Sequence, residues 1–251
     1  MIEILLMIAT YGRVETTRIC FEGVKRLQCY NPDKYNIIPF VVSSDKGTTA
    51  LANEYGFKCV YSKNKPLGKK LNNGIRAAIQ WRSFDFLMQL GSDDILLPEA
   101  LDYFAGNIKD GVDRIDFFEK HLLFGLDRIY FYDLSKDRLK TYHSEIVFGA
   151  ARCVHCSIIL ELLRRQGKMW TNKLNKGLDK DSEERIYNVF GYSPPVYRAR
   201  IPNHYTPLLL DIKDGDNIHS YDSIIGDEIF ENEKNGILQQ FGLTLNRGHV
   251  E

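Results

Sequence analysis

No stretch of this 251-residue chain approaches the roughly 20 consecutive apolar residues that a membrane-spanning helix requires. Neither sign of charge is in excess, since Lys plus Arg and Asp plus Glu each number 33. No global pull toward nucleic acid or an anionic membrane follows, although a local patch stays open. Cysteine is sparse and odd in number, with residues at 20, 29, 59, 153 and 156. That scatter does not suit a disulfide framework; reduced thiols in a cytoplasmic protein are expected. Cys153 and Cys156 have Cys-x-x-Cys spacing, but no second pair with zinc-like spacing exists. Structural thiols at a helix start are therefore expected. Internal repeats, low-complexity segments and a recognisable linker are also missing. The opening MIEILLMIATYGR carries Glu3 and no basic leader, so it reads as a first β-strand and not as a signal peptide.

Apolar residues are plentiful. They make up 44% of the chain, with 12% aromatic, enough for a packed core and against disorder. The first hundred residues alternate. Strands are expected at 2–9, 36–44, 58–62 and 84–90. Helices are expected at 14–28, 49–56, 69–81 and from 97 on, the last with Pro98 near its first turn. Such βα alternation predicts a mostly parallel sheet with helices on both faces. Ligands of open sheets of this kind lie beyond the carboxyl ends of the strands. A polar stretch follows each strand: Thr10–Arg13, Ser43–Lys46, Lys63–Lys70 and Gly91–Asp94. Four loops are thus expected to converge on one edge. Beyond about residue 107 the pattern changes to a hairpin around Ser135–Asp137, helices at 156–167 and 181–191, and a tail from Tyr221 to Phe241 helical in two pieces. Asp181 with Glu184 has the form of a capping box. The expected organisation is one compact unit, with an α/β half over 1–107 and an α+β half over 108–251 packed on it.

The segment FLMQLGSDDILLPEAL, residues 86–101, ends a buried run in two adjacent carboxylates and then resumes. Two such groups repel each other and lose solvation where partly buried. Gly-Ser-Asp-Asp is also good turn chemistry. A hard divalent cation compensates the charge far better than a helix dipole does. Placed beside three other loops, Asp93 and Asp94 read as cation ligands.

The first half resembles the nucleotide-sugar-binding half of GT-A glycosyltransferases, specifically the family-2-like group. MIATYGR resembles the opening strand and loop of that group, which implies donor contacts from Thr10, Tyr11 and Arg13. FVVSSDKGT resembles its second strand, which implies that Asp45 meets the base. NKPLGKKLNNGI resembles the segment lining the diphosphate, which implies Gly68, Lys69 and Asn72, with Lys70 and Gly74 beside them. LGSDD resembles the D-x-D-type motif, with Gly91 where many members carry Asp. The resemblance then implies Asp94 as the direct ligand of Mn²⁺ or Mg²⁺, with Asp93 facing the sugar or ribose. It also implies one carboxylate as general base on an acceptor hydroxyl. NKGLDKDSEERI offers Asp179 first and Asp181 second, because an N-cap already accounts for Asp181. GAAR resembles an acceptor-side loop, which implies Arg152 and His155. Trp170 is a candidate for stacking, although a lone Trp more often packs in the core.

The resemblance implies metal-assisted, inverting transfer of a sugar from a nucleotide sugar to a hydroxyl. The stretch 152–180 is basic, and 197–205 adds Arg198, Arg200 and His204 among tyrosines. A charge run is usually a solvated face, yet Lys and Arg interleaved with Tyr and Trp also suit a polyanion. Glycan, lipid-linked glycan and hydroxymethylated DNA all stay open as acceptors. A nucleotidyltransferase is a second alternative, but it normally has a Gly-rich phosphate loop, and ATYGRVETT has one Gly and one Arg.

Overall fold

The computed structural model describes residues 1–106, 116–120, 122–144, 147–191, 199–201, 206–215 and 221–243. Strands β1 (Ile2–Thr10), β2 (Tyr35–Ser43), β3 (Lys58–Tyr61) and β4 (Phe86–Gly91) are mutually parallel, in the order β4-β1-β2-β3. Residues of β1 alternate between two cores. Ile4, Leu6 and Ile8 enter one, and Leu5 and Met7 enter the other. Both faces of the strand are covered, which is why its sequence is continuously apolar. Helices α1 (Val14–Cys29) and α2 (Lys46–Glu54) cover the first face with Phe21, Val24, Leu51 and Ala52. Helix α3 (Leu67–Trp81) covers the second with Leu71, Ile75 and Ala78. A Cβ on Gly74 would lie 2.5 Å from Val42 Cγ2, so the glycine in this helix admits close packing on the sheet.

The second half extends this sheet. β6 (Leu123–Leu126), β9 (Cys153–His155) and β10 (Ala199–Ile201) complete seven strands in the order β10-β6-β9-β4-β1-β2-β3. β9 runs antiparallel to β4 and β6, and the sheet is otherwise parallel. A second sheet has the order β12-β8-β7-β11-β5, from β5 (Asp94–Leu96), the expected hairpin β7 (Arg128–Asp133) and β8 (Arg138–His143), β11 (Leu209–Lys213) and β12 (Asp227–Glu228). β5 leaves the end of β4 and crosses into this sheet, joining the two layers at the acidic pair.

Helix α4 (Glu99–Phe104) begins after Pro98, α5 (Phe117–Lys120) is a single turn, and α6 (Cys156–Gln166) ends at Gly167 in the left-handed region, φ 67°. All five cysteines are free thiols. Two expectations are corrected. Helix α7 (Leu178–Phe190) starts at Leu178 with Gly177 as its N-cap, so Asp181 lies inside the helix and forms no capping box. Its carboxylate instead accepts from Thr171 N at 2.6 Å and Thr171 Oγ1 at 2.7 Å, tying the helix to the preceding loop. The tail holds one α-helix, α8 (Glu231–Gln240), preceded by a 3-10 turn at Tyr221–Ser223 and by β12, which pairs with β8. Arg198 and His204 lie outside the described residues, as does the side chain of Arg200.

Candidate active site

The parallel strands end level with one another. Thr10 is opposite Ser43, Ser43 opposite Tyr61, and Ala9 opposite Gly91. At Gly91 the chain folds back, and Asp94 Oδ2 accepts from Gly91 N at 2.5 Å. A Cβ on residue 91 would meet Asp93 Oδ1 at 2.7 Å and Asp94 Oδ2 at 2.8 Å. The glycine therefore leaves room for both carboxylates under the strand end. Gly91→Ala is expected to push the pair apart and lower Mn²⁺ affinity about tenfold, a loss of about 1.4 kcal/mol. Calorimetric titration with Mn²⁺, with circular dichroism to verify the fold, checks this.

The antiparallel pairing of β5 with β11 sets Asp94 directly opposite Asp211. Like charges in facing positions destabilise a sheet. Carboxylate oxygens of Asp93, Asp94 and Asp211 lie within 4.8 Å of one another. Two cations offset part of this charge. Arg13 Nη1 is 3.0 Å from Asp93 Oδ2, and Lys213 Nζ is 2.6 Å from Asp211 Oδ2. Arg13 also donates to Ser92 Oγ at 3.0 Å, and it occupies the left-handed region at φ 46°. A non-glycine residue there is strained, and such strain clusters at working sites. The offset is incomplete. Burial and the neighbouring Asp93 push the Asp94 carboxyl up to about 7. Burial and Asp93 also push Asp211 well above the carboxylate range. Asp211 Oδ1 is buried without a hydrogen-bond partner among the described residues. An all-oxygen set with surplus negative charge and an orphaned buried oxygen fits a hard divalent cation such as Mn²⁺ or Mg²⁺.

Two cavities meet at these carboxylates, and both are lined by Asp93, Asp211 and Lys213. The first, about 470 Å³, runs under the strand ends between Tyr11, Arg13, Asn64 and Lys70. Lys70 is 1% exposed and donates to the Thr10 carbonyl at 2.6 Å. Burial pulls its ammonium down to about 8, against the pull of Asp45. The second cavity, about 560 Å³, is lined by Phe148, Gly149, Asp179 and Ile225 among others.

Asp179 is brought to the second cavity by the first turn of α7. Arg152 fixes that turn, donating to the Asp179 carbonyl at 3.1 Å, to Asp179 Oδ1 at 3.4 Å and to Ser182 Oγ at 2.9 Å. Gly149 completes the seat, because a Cβ there would lie 2.0 Å from Asp179 Oδ1.

Tyr11, Arg13, Asp93, Asp94 and Asp179 thus gather around the two cavities. The other candidates do not line them. Thr10 is buried and hydrogen-bonded to Thr48 Oγ1 at 3.0 Å. Asp45 caps α2; burial opposes its ionisation, but amides of Thr48 and Gly12 hold it below the usual carboxylate range. Gly68 packs on backbone, with a Cβ placed 2.2 Å from the Thr171 carbonyl oxygen. Asn72 accepts from the amides of Met169 and Trp170 and donates to the Trp170 carbonyl, clamping that loop. Lys69 is exposed, and it is Lys70 that reaches the first cavity. Trp170 is fully buried in the second core. His155 caps α6 and packs edge-on against Phe86, at the start of β4 and so away from Gly91. Four members of the basic stretch are paired or buried. Arg164 and Arg165 pair with Glu161, Lys180 with Glu184, and Arg152 is buried.

Asp211 and Lys213 were not among the candidates. Their one trace in the sequence is an acid interrupting the apolar run LLLDIK, the same signal that marks Asp93 and Asp94.

No family model matches the sequence, and no curated protein matches it. Solved structures do. Residues 1–349 of S. aureus TarS superimpose with a TM-score of 0.52 at 13% identity, covering 96% of this chain and 70% of that one. The chain has a GT-A-type glycosyltransferase fold. A longer S. aureus TarS structure gives the same TM-score at 10% identity, with 96% of this chain and 43% of that one covered. A mannosyltransferase from Pyrobaculum calidifontis, solved with GDP-Man and Mn²⁺, gives 0.49 at 12% identity over 84% of this chain and 56% of its own. In this GT-A fold the acidic cluster lies where the strand ends meet the second sheet. Among the described residues no helix is long and apolar enough to cross a membrane.

Proposed function

We propose that the chain transfers a sugar from a nucleotide-sugar donor to a hydroxyl acceptor, with inversion at the anomeric carbon and with a divalent cation bound. The observation that carries this reading is the convergence of Asp93, Asp94 and Asp211 between two cavities at the carboxyl ends of parallel strands. One cavity takes the donor and the other the acceptor, so the groups that exchange a bond meet at the shared wall.

Asp93, Asp94 and Asp211 would hold the cation, whose chemistry is to neutralise charge on a departing nucleoside diphosphate. Lys70 stands at the inner wall of the donor cavity and adds a positive charge toward the diphosphate. Arg13 holds Asp93 in place and closes the cavity floor. Asp179 takes the proton from the acceptor hydroxyl. The new bond forms between that oxygen and the anomeric carbon as the bond to the diphosphate oxygen breaks. A donor and an acceptor held in separate cavities that share Asp93 and Asp211 support direct displacement with inversion.

The test is a hydrolysis screen of UDP-, GDP-, CDP- and TDP-sugars with Mn²⁺, reading released nucleoside diphosphate. No release from any donor would defeat the reading. The active donor should give a bell-shaped pH profile at subsaturating Mn²⁺. The rate rises through about pH 7 as Asp94 loses its proton and becomes a ligand. It falls above about pH 8 as Lys70 loses its own. Saturating Mn²⁺ should move the acid limb to lower pH, since the cation competes with the proton. Lys70→Met should remove the alkaline limb and raise donor KM roughly 10–100-fold, the weight of one charge-assisted hydrogen bond.

A further inference from the structure

The acceptor cavity has a charged floor and an apolar wall. Asp93, Asp94, Asp179 and Asp211 all line it. Its cation among the described residues, Lys213, is committed to Asp211 at 2.6 Å and lies over the Phe131 ring at 5.2 Å. Arg13 pairs with Asp93 and Arg152 with Asp179, a bound divalent cation would offset Asp94 and Asp211, and a donor diphosphate would bring negative charge back to the shared wall. An anionic acceptor entering here meets like charge in a partly dry site, where such repulsion is strongest. The arginines and lysines of the basic stretch do not line this cavity, and of them Arg164 and Arg165 pair with Glu161, Lys180 with Glu184, and Arg152 is buried with Asp179.

The wall is built from Ile129, Phe131, Tyr142, Phe148, Ile224 and Ile225. The Tyr142 and Phe148 rings meet edge-on at 5.8 Å, leaving ring surface toward the cavity. Ile225, at the rim, is 87% exposed. Together with Ile129, Phe131, Tyr142, Phe148 and Ile224 it makes a contiguous apolar wall, and it is such a patch beside a cavity, not one exposed side chain, that marks a ligand surface.

We propose that the acceptor is an uncharged glycoside that lays an apolar face on Phe148 and Ile225 while its hydroxyl reaches Asp179, and that polyanions such as DNA are excluded. This rests on the transferase reading and names its substrate class. The C–H face of a pyranose, or an aryl aglycone, provides the apolar surface, and the opposite edge provides the hydroxyl.

The test is equilibrium binding with Mn²⁺ and UDP present, at physiological salt. Ligands are p-nitrophenyl β-D-glucopyranoside, its 6-phosphate and a short duplex containing 5-hydroxymethylcytosine. The neutral glucoside is expected to bind at least about tenfold more tightly than its phosphorylated twin. Phe148→Ala and the surface change Ile225→Ser should each weaken it, Phe148→Ala by about tenfold. Equal or tighter binding of the phosphorylated glucoside or of the duplex would overturn the proposal. So would glucoside binding that neither variant disturbs. Donor hydrolysis by the unaltered chain, read in parallel, bears on the transferase reading alone, so the two fail separately.

Discussion

Asp94→Asn is expected to cut Mn²⁺-dependent donor hydrolysis about a thousandfold and, in the same protein, to raise the melting temperature measured in EDTA. On the proposed function, the loss follows from removing one ligand of the cation that would offset leaving-group charge, an effect worth several kcal/mol. The gain follows from the folded site itself. Asp94 is 5% exposed, faces Asp211 across the sheet and adjoins Asp93. Its carboxyl sits at about 7 when folded against an ordinary 3.8, so the folded chain holds a proton that the unfolded chain releases. The stability that proton contributes is present below about pH 4 and is lost as pH rises to about 7. At pH 8 the metal-free native chain therefore carries an unrelieved buried charge, which asparagine removes while still accepting from Gly91 N. A gain of about 1–2 kcal/mol is expected, or roughly 2–4 °C per kcal/mol for a chain of this size. Mn²⁺ should raise the melting temperature of the unaltered chain more at pH 8 than at pH 5.5, and should scarcely move that of the variant. Asp211→Asn should behave alike, and the double variant should lose less than the sum, because both residues serve one ion. An unchanged melting temperature together with an unchanged response to Mn²⁺ would remove Asp94 from the cation site.

The first four strands and the direction of their loops were legible because each strand is buried on both faces, so continuous apolar runs mark it against polar loops. Asp93 and Asp94 were legible for the same reason, as charge at the end of such a run. Asp211 was not, although it completes the cluster. It lies 117 positions beyond Asp94 and meets it only through the antiparallel register of β5 and β11, which no local pattern encodes. The segment NKPLGKKLNNGI shows the opposite failure. Its glycines and Asn72 break helix propensity as a site does, yet the cause is packing. Gly74 lets α3 approach Val42, Gly68 lets it approach the Thr171 carbonyl, and Asn72 clamps the loop at Met169–Trp170. Deviations from helix propensity at close helix packing and at binding sites look identical in one sequence. Asp181 misled through its spacing to Glu184, because a capping box needs a helix start and Gly177 had already supplied one.

Asp179→Asn should lower the rate of transfer to an acceptor by about 10²–10⁴, the range for losing a positioned general base, while donor affinity changes less than about twofold. Asp181→Asn should do the reverse. Both Asp181 oxygens are occupied, accepting from Thr171 and pairing with Arg185 at 3.3 Å, so its loss should cost stability and spare the chemistry. The two variants, two positions apart on one helix, thereby separate a reacting carboxylate from a structural one. Two further changes approach Asp179 from its surroundings. Arg152 is 3% exposed and spreads its guanidinium over the Asp179 carbonyl, the Asp179 carboxylate and Ser182, a fork that lysine cannot reproduce. Arg152→Lys should therefore lower kcat for transfer about tenfold with acceptor KM little changed, since what it loses is orientation. Gly149→Ala should act likewise, because its methyl group would claim the space 2.0 Å from Asp179 Oδ1 and swing the carboxylate away from the cavity. Steady-state kinetics with the neutral glucoside, beside donor binding by calorimetry, reads all four variants. If Asp179→Asn transfers sugar at the unaltered rate, the base lies elsewhere. The Arg152 and Gly149 variants must then lose the part of their effect that runs through that carboxylate, leaving only what Arg152 does for the helix turn at Ser182 and what a methyl group at 149 does to the cavity wall.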